Sequence, residues 1–245
     1  LPAWCLRHVA GIGLGLAAPG GLAQHAHMLM TPAPAALPAW GDHNVHLWWC
    51  DTPAQDAAPQ RRRARLDALL REVLSRYLGT APERLRFGRE TRGRPYLLEP
   101  DAPDFNLSDT DGGSVIAVAQ HARVGVDLER EDRQLPHRRL AQRYFAAPEI
   151  DALRALPDDE ARRAFLRLWT AKEASCKATG TGIYGQLDRW TFASDSDTPH
   201  MLALPGEAGA ASSWHHLRFN PAPGYTAVLA CAGWKPSARG FRLDA

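Results

Sequence analysis

Two carboxylates, Asp127 and Glu129, stand two residues apart in the run Arg123-Val124-Gly125-Val126-Asp127-Leu128-Glu129. Val124, Val126 and Leu128 alternate with Gly125, Asp127 and Glu129, and alternation at period two predicts a strand with one apolar face. Both acids then project from the other face, about 6–7 Å apart along the strand. Gly125 leaves room beside them for another backbone or a ligand. Neighbouring acids repel unless something positive lies between them. Two readings follow. One is a solvated strand face, which the depletion of acids in strands disfavours. The other is a pair of oxygen ligands for a divalent cation.

The element that would complete such a site is a helix predicted over Asp159–Thr179, where Ala161, Phe165, Leu168, Trp169 and Cys176 follow helical spacing. Trp169, Glu173 and Lys177 are four apart, so they stack on one face. Gly180 is a C-terminal stop. On its own the Glu173–Lys177 pair reads equally as a surface pair worth about 0.2–0.5 kcal/mol.

Gly125-Val126-Asp127-Leu128-Glu129, followed some forty residues later by Trp169-Thr170-Ala171-Lys172-Glu173-Ala174 and Lys177, resembles the signature pair of the 4′-phosphopantetheinyl transferases, most closely the surfactin-synthetase-type branch. Gly93-Arg94-Pro95-Tyr96 and Phe105-Asn106-Leu107-Ser108 fall where that family has its Gly-Lys-Pro and Phe-Asn-Leu-Ser-His motifs. The resemblance runs from Val45 to Ala232 and leaves the first forty or so residues uncovered.

The resemblance implies an α+β fold of two similar halves in a pseudo-twofold arrangement, here 42–121 and 122–245, the second carrying the metal-site motifs. It implies transfer of the phosphopantetheine arm of coenzyme A to a serine of an apo acyl or peptidyl carrier protein, releasing adenosine 3′,5′-bisphosphate. Magnesium would be held by Asp127, Glu129 and Glu173. Glu173 would also be the base, directly or through water, and Lys177 would offset charge on the transferred phosphate or the leaving group. Arg71, Arg94, Ser108, Asp109 and Lys177 would line the coenzyme A site, with Arg94 in place of the family lysine. Trp169 is expected to pack rather than touch substrate. The resemblance further implies a cytoplasmic monomer with no nucleic-acid or membrane partner. Two rival classes are a non-catalytic coenzyme A or carrier-binding relative and another magnesium-dependent phosphotransferase; the second lacks a G-x-x-x-x-G-K-[ST] loop.

The departure is Asp109, where the family has a histidine that meets the 3′-phosphate. Two unit charges about 4 Å apart cost on the order of 4 kcal/mol at an effective dielectric near 20, so a bare aspartate would repel that phosphate. Asp109 could bond a backbone N–H of its own turn-rich loop, pair with Arg71 or Arg94, or leave the 3′-phosphate weakly bound. The first arrangement is expected.

The whole chain sets the bounds. Its 245 residues suffice for one large or two small cores, and a net charge of +2 with 23% charged residues offers no broad basic field for nucleic acid. Cys5, Cys50, Cys176 and Cys231 lack any C-x-x-C pairing, which suits free thiols in a reducing compartment. No apolar run is long enough to span a bilayer. Residues 1–41 are expected to be disordered or a non-native extension; Val9–Ala18 behind Arg7 offers a competing export-signal reading. A helix entered at Asp56-Ala57-Ala58-Pro59 is predicted from Leu66, Leu69, Leu70, Val73, Leu74, Tyr77 and Leu78, closed by Gly79. Phe105–Ser108 is expected to lead into a loop, and Gln120–Arg123 to close a hairpin between strands at 115–119 and 125–129. Strands are also expected at Val45–Trp49, Trp190–Phe192, Met201–Leu204, His215–Phe219 and Tyr225–Cys231.

Overall fold

A computed structural model describes residues 28–38, 41, 43–52, 58–182 and 185–243. The readings placed on Cys5, Val9–Ala18 and Asp56–Ala57 lie outside the described residues. The chain runs β1 (Met30–Pro32), β2 (Asn44–Asp51), α1 (Pro59–Leu78), β3 (Phe87–Arg89), β4 (Pro95–Leu97), β5 (Asp104–Thr110), β6 (Gly113–Ala119), β7 (Arg123–Arg130), α2 (His137–Tyr144), α3 (Ala147–Arg154), α4 (Asp158–Thr179), β8 (Thr191–Phe192), β9 (Met201–Ala203), β10 (Trp214–Phe219), β11 (Tyr225–Ala232) and β12 (Ser237–Leu243). This is a mixed α/β protein in which two sheets pack face to face and a long helix covers the outside of each.

The period-two pattern of β2 explains the layering. Val45, Leu47 and Trp49 face the second sheet and pack with Val115, Ala117, Val126, Leu128 and Leu229. Trp48 and Cys50 face the other way and join Leu66, Leu70, Val73 and Leu74 of α1. One sheet has the order β1-β12-β2-β6-β5, and the other the order β10-β11-β7. Phe165, Leu168, Ala171 and Cys176 of α4 pack on the outer face of the second sheet, against Val228 and Ala230.

Local chemistry sets the helix limits. Pro59 opens α1, where a missing N–H costs nothing, and Gly79 closes it at φ 59° with its N–H on Ser75 O. Asp158, Asp159 and Glu160 occupy the first turn of α4 and Lys177 its last, each complementing the helix dipole.

Four findings differ from expectation. The turn Gln120–Ala122 joins different sheets and closes no hairpin: β6 already has β2 on one edge and β5 on the other, so β7 pairs with β11 instead. Phe105–Ser108 lies inside strand β5. β12, beyond the expected strands, runs parallel to β2, so the C-terminal stretch 122–245 contributes a strand to the first sheet. Met30–Pro32, within the segment expected to lack structure, pairs with Gly240–Arg242 of β12. Among the described residues, no helix is long and apolar enough to cross a membrane.

Candidate functional site

Gly125 decides how α4 meets β7. A Cβ added there would stand 2.0 Å from Ala174 O and 2.4 Å from Ala178 N, so the helix backbone rests directly on the strand. Only glycine permits that approach. Glu173 and Lys177 are thereby laid over the strand face that carries Asp127 and Glu129. That face is not solvated: Asp127 is 4% and Glu129 5% exposed.

A second device brings Ser108 to the same place. Side chains of β5 accept hydrogen bonds from the backbone of β7 in sequence: Val124 N donates to Asp104 Oδ2 at 2.8 Å, Val126 N to Asn106 Oδ1 at 2.9 Å and Leu128 N to Ser108 Oγ at 3.1 Å. These bonds satisfy amides that no strand pairs on that side. They also explain why a polar stretch forms a buried strand: each polar side chain has a fixed acceptor role.

Lys177 Nζ donates to Asp127 Oδ1 at 2.7 Å and to Ser108 Oγ at 2.9 Å, and Ser108 Oγ donates to Asp127 Oδ1 at 3.1 Å. Glu129 Oε1 accepts from Arg133. The remaining oxygens, Asp127 Oδ2 and Glu129 Oε2, are buried without a hydrogen-bond partner. Buried acceptors left bare are costly. A divalent cation between them would satisfy both, which is the fit expected of hard oxygen ligands. Among the described residues no three His, Cys, Asp or Glu side chains are drawn together tightly enough to enclose a metal. An ion held here would therefore need oxygens from substrate or solvent beside those of the protein.

Burial and the neighbouring acids push both glutamates upward. Glu129 is raised to about 7, first by burial and then by Asp127, with Arg133 and Lys177 opposing. Glu173 is raised to about 8, first by burial, then by Asp127 and Glu129, with Lys177 and Arg133 opposing. Both groups hold protons in the folded state that they lose near their ordinary value of 4.5 when unfolded. His46 and His216, lowered to about 4 chiefly by burial, act with the opposite sign up to their ordinary value of 6.5, so folding stability without metal should fall as pH rises from about 6.5 towards 8. The melting temperature in chelator is expected to drop across that window, and the gain on adding magnesium to grow with pH. A thermal melt series at stepped pH, with and without magnesium, checks both; a chelated protein that melts higher at about pH 8 than at about pH 6.5 would contradict the shifts.

The structure brings together Ser108, Asp127, Glu129, Glu173 and Lys177. A recess lined by Arg92, Arg94, Glu173, Cys176, Lys177, Gly180 and Gly182 opens beside them. Other expected coenzyme contacts are engaged elsewhere. Arg94 is 2% exposed and meets Asp104 through two bonds of 2.8 Å, Val124 O at 2.9 Å, Lys177 O at 3.0 Å and Phe105 O at 3.2 Å. Its guanidinium clamps β5, β7 and the end of α4 rather than presenting donors to a phosphate. Arg71 donates to Asp67 and to the carbonyls of Pro82 and Leu85, which fixes the turn after α1. Ser108 Oγ, with two bonds received and one given, has no capacity left for a phosphate oxygen in this arrangement. Asp109 lies on β5 rather than in a loop, and pairs with Arg62 of α1. The expected bond to its own loop is absent, and the arginine that neutralises it is neither Arg71 nor Arg94.

Besides the Arg62–Asp109 pair, sequence reasoning missed two ion pairs at the cluster and on α4. Arg133 follows Glu129 by four residues, across a strand end where neither helical nor strand spacing predicts contact. Lys172 sits between motif residues on a helix and reads as a surface lysine, yet it is 0% exposed. It pairs with Glu149 at 2.6 Å and donates to Leu187 O at 2.9 Å and to Trp190 O, while Glu149 caps Ala146 N and Phe192 N. This buried pair ties α3, α4 and the start of β8 together on the side of α4 away from the acids. Trp169 packs, as expected, stacked on Phe165 at 5.5 Å.

A profile of the 4′-phosphopantetheinyl transferase superfamily matches residues 123–230. The chain is 36% identical over 173 residues to the 4′-phosphopantetheinyl transferase HetI of Nostoc sp., covering 69% of this chain and 70% of that protein. It is 34% identical over 157 residues to a 4′-phosphopantetheinyl transferase of Bacillus pumilus, covering 61% and 66%. It is 29% identical over 168 residues to the 4′-phosphopantetheinyl transferase Sfp of Bacillus subtilis, covering 68% and 71%.

Proposed function

The chain belongs to the 4′-phosphopantetheinyl transferase superfamily, and on that premise we propose that it moves the phosphopantetheine arm of coenzyme A onto a serine hydroxyl of an apo acyl or peptidyl carrier protein. The observation that carries the reading is the joining of both signature motifs in one cluster of Asp127, Glu129, Glu173 and Lys177, with two buried oxygens bare. The task is phosphoryl transfer: neutralise a pyrophosphate, align a hydroxyl and take its proton.

Asp127 Oδ2 and Glu129 Oε2 would hold magnesium with Glu173, and the bound ion would supply positive charge to the phosphate oxygens. Glu173, the α4 acid of the cluster, would accept the serine proton, directly or through water. Lys177, bonded to Asp127 and Ser108, carries a positive charge into the cluster and can stabilise charge growing on the leaving phosphate. Adenosine 3′,5′-bisphosphate would be the second product. We place the reaction in the cytoplasm, where coenzyme A is available, and assign it to a monomer.

The pseudo-twofold reading of 42–121 and 122–245 belongs to the same proposal. Its support is the strand order: β2-β6-β5 places the first, last and penultimate strands of one half side by side, and β7-β11-β10 repeats it for the second half once β12, which joins the first sheet, is set aside. A long helix and a two-stranded pair, β3-β4 or β8-β9, lie between in each half.

Release of adenosine 3′,5′-bisphosphate in step with carrier modification, abolished by chelator and restored by magnesium, is the test. Hydrolysis of coenzyme A without carrier modification would contradict the transfer.

Asp109 tests the coenzyme end. With Arg62 beside it, its charge is offset and coenzyme A is still preferred to the 3′-dephospho form. Asp109→His and Asp109→Asn, which remove a negative charge near the 3′-phosphate, are expected to raise that preference about tenfold. The ratio of kcat/KM for the two coenzymes measures it. An unchanged ratio in both variants would place Asp109 away from the 3′-phosphate.

A further inference from the structure

Three carboxylates and two cations share the cluster, and the cations are not alike. Lys177 lies within it, bonded to both Asp127 and Ser108. Arg133 reaches in from beyond the end of β7, touches Glu129 Oε1 and keeps 30% of its side chain exposed. The charge of Arg133 acts on Glu173 as well as on Glu129. Each strand acid thus has one oxygen held by a cation and one oxygen buried and bare.

We propose that Arg133 is a resident counter-cation that sets the affinity of the cluster for a divalent ion, neutralising Glu129 in the empty site and opposing the ion when it enters. The proposal rests on the metal reading given above. With all three acids ionised, the cluster carries one net negative charge, and it would carry two without Arg133. With the acids ionised, two effects of the guanidinium compete. It holds Glu129 in one rotamer, which favours binding by sparing the freezing of a single side chain. It also places a positive charge on the carboxylate that a doubly charged ion must share, in a region nearly closed to water, where charge interactions are strong. The second effect involves twice the unit charge product and outweighs one rotamer. Repulsion therefore decides the sign, and removing the charge should tighten binding.

The exposure of Arg133 fits this role. A cation that must yield to another needs solvent to move into, and Lys177, 9% exposed, lacks it. Arg133→Gln keeps the first part of the stem and a polar end while removing the charge.

The experiment is calorimetric titration of Mn2+ into the coenzyme-free protein as wild type, Arg133→Gln, Arg133→Lys and Asp127→Asn, at one pH and ionic strength. Arg133→Gln should bind about tenfold more tightly than wild type, and Arg133→Lys should match wild type. The melting temperature of Arg133→Gln should rise more on adding Mn2+ than that of wild type, as linkage requires. Binding to Arg133→Gln that equals wild type, or is weaker, overturns the proposal and makes Arg133 an orienting group for Glu129. Wild type that takes up no Mn2+, with Asp127→Asn indistinguishable, overturns the metal reading and this inference with it.

Discussion

Asp127→Asn and Glu173→Gln are each expected to lower kcat/KM for carrier modification about a thousandfold or more while leaving the fold intact. Both substitutions keep shape and remove charge. Asp127 presents a bare oxygen beside that of Glu129, and its other oxygen anchors Lys177. An amide supplies a weak neutral oxygen to the ion and a weaker partner to the lysine. Glu173→Gln removes the group assigned to the serine proton. Glu173→Gln should hold or improve stability, because burial and the charges of Asp127 and Glu129 raise Glu173; Asp127→Asn relieves the same repulsion and weakens the partner of buried Lys177, so its melting temperature should fall modestly. Activity within tenfold of wild type would detach these acids from the chemistry.

Arg94→Met should have the largest effect on stability. The side chain is 2% exposed and gives hydrogen bonds to Asp104 and three backbone carbonyls from separate elements. Removing one partner of a buried charged pair costs about 3–5 kcal/mol, because the other is left desolvated and unpaired. In a domain of this size that corresponds to a fall in melting temperature of about 10 °C. Arg94→Lys should recover only part, since a point charge cannot reproduce the two-bonded contact with Asp104. Thermal melts measure the loss. A stable Arg94→Met with a raised KM for coenzyme A alone would return Arg94 to the phosphate-binding role that the resemblance implied.

Parts of the fold were legible because the pattern and the environment agree. Leu66, Leu70, Val73 and Leu74 form a stripe with a single buried face, and α1 follows from it. Val124, Val126 and Leu128 announce β7, and Gly125 marks the close approach, which proves to be the backbone of α4. β5 was hidden because Asp104, Asn106 and Ser108 read as turn formers; only the unpaired amides of β7 explain their burial. α2 was hidden because His137–Tyr144 is short and largely polar. The hairpin expectation at Gln120–Arg123 failed because adjacency in sequence says nothing about an edge that β5 already occupies. The meeting of Asp127, Glu129 and Glu173 was legible through spacing and family motif. Arg133, Arg62 and Glu149 were not, since each ion pair depends on how separate elements or a strand end are placed in three dimensions.

The cluster built from the β7 acids and the α4 glutamate and lysine is proposed to transfer phosphopantetheine. Intact-mass analysis of a purified apo carrier protein, incubated with coenzyme A, magnesium and this protein, tests it most directly. The account predicts a mass gain of one phosphopantetheine group with wild type, and none within the same time with Asp127→Asn or with a carrier whose acceptor serine is alanine. A carrier left unmodified by wild-type protein that binds coenzyme A and magnesium, across acyl and peptidyl carriers, would contradict it.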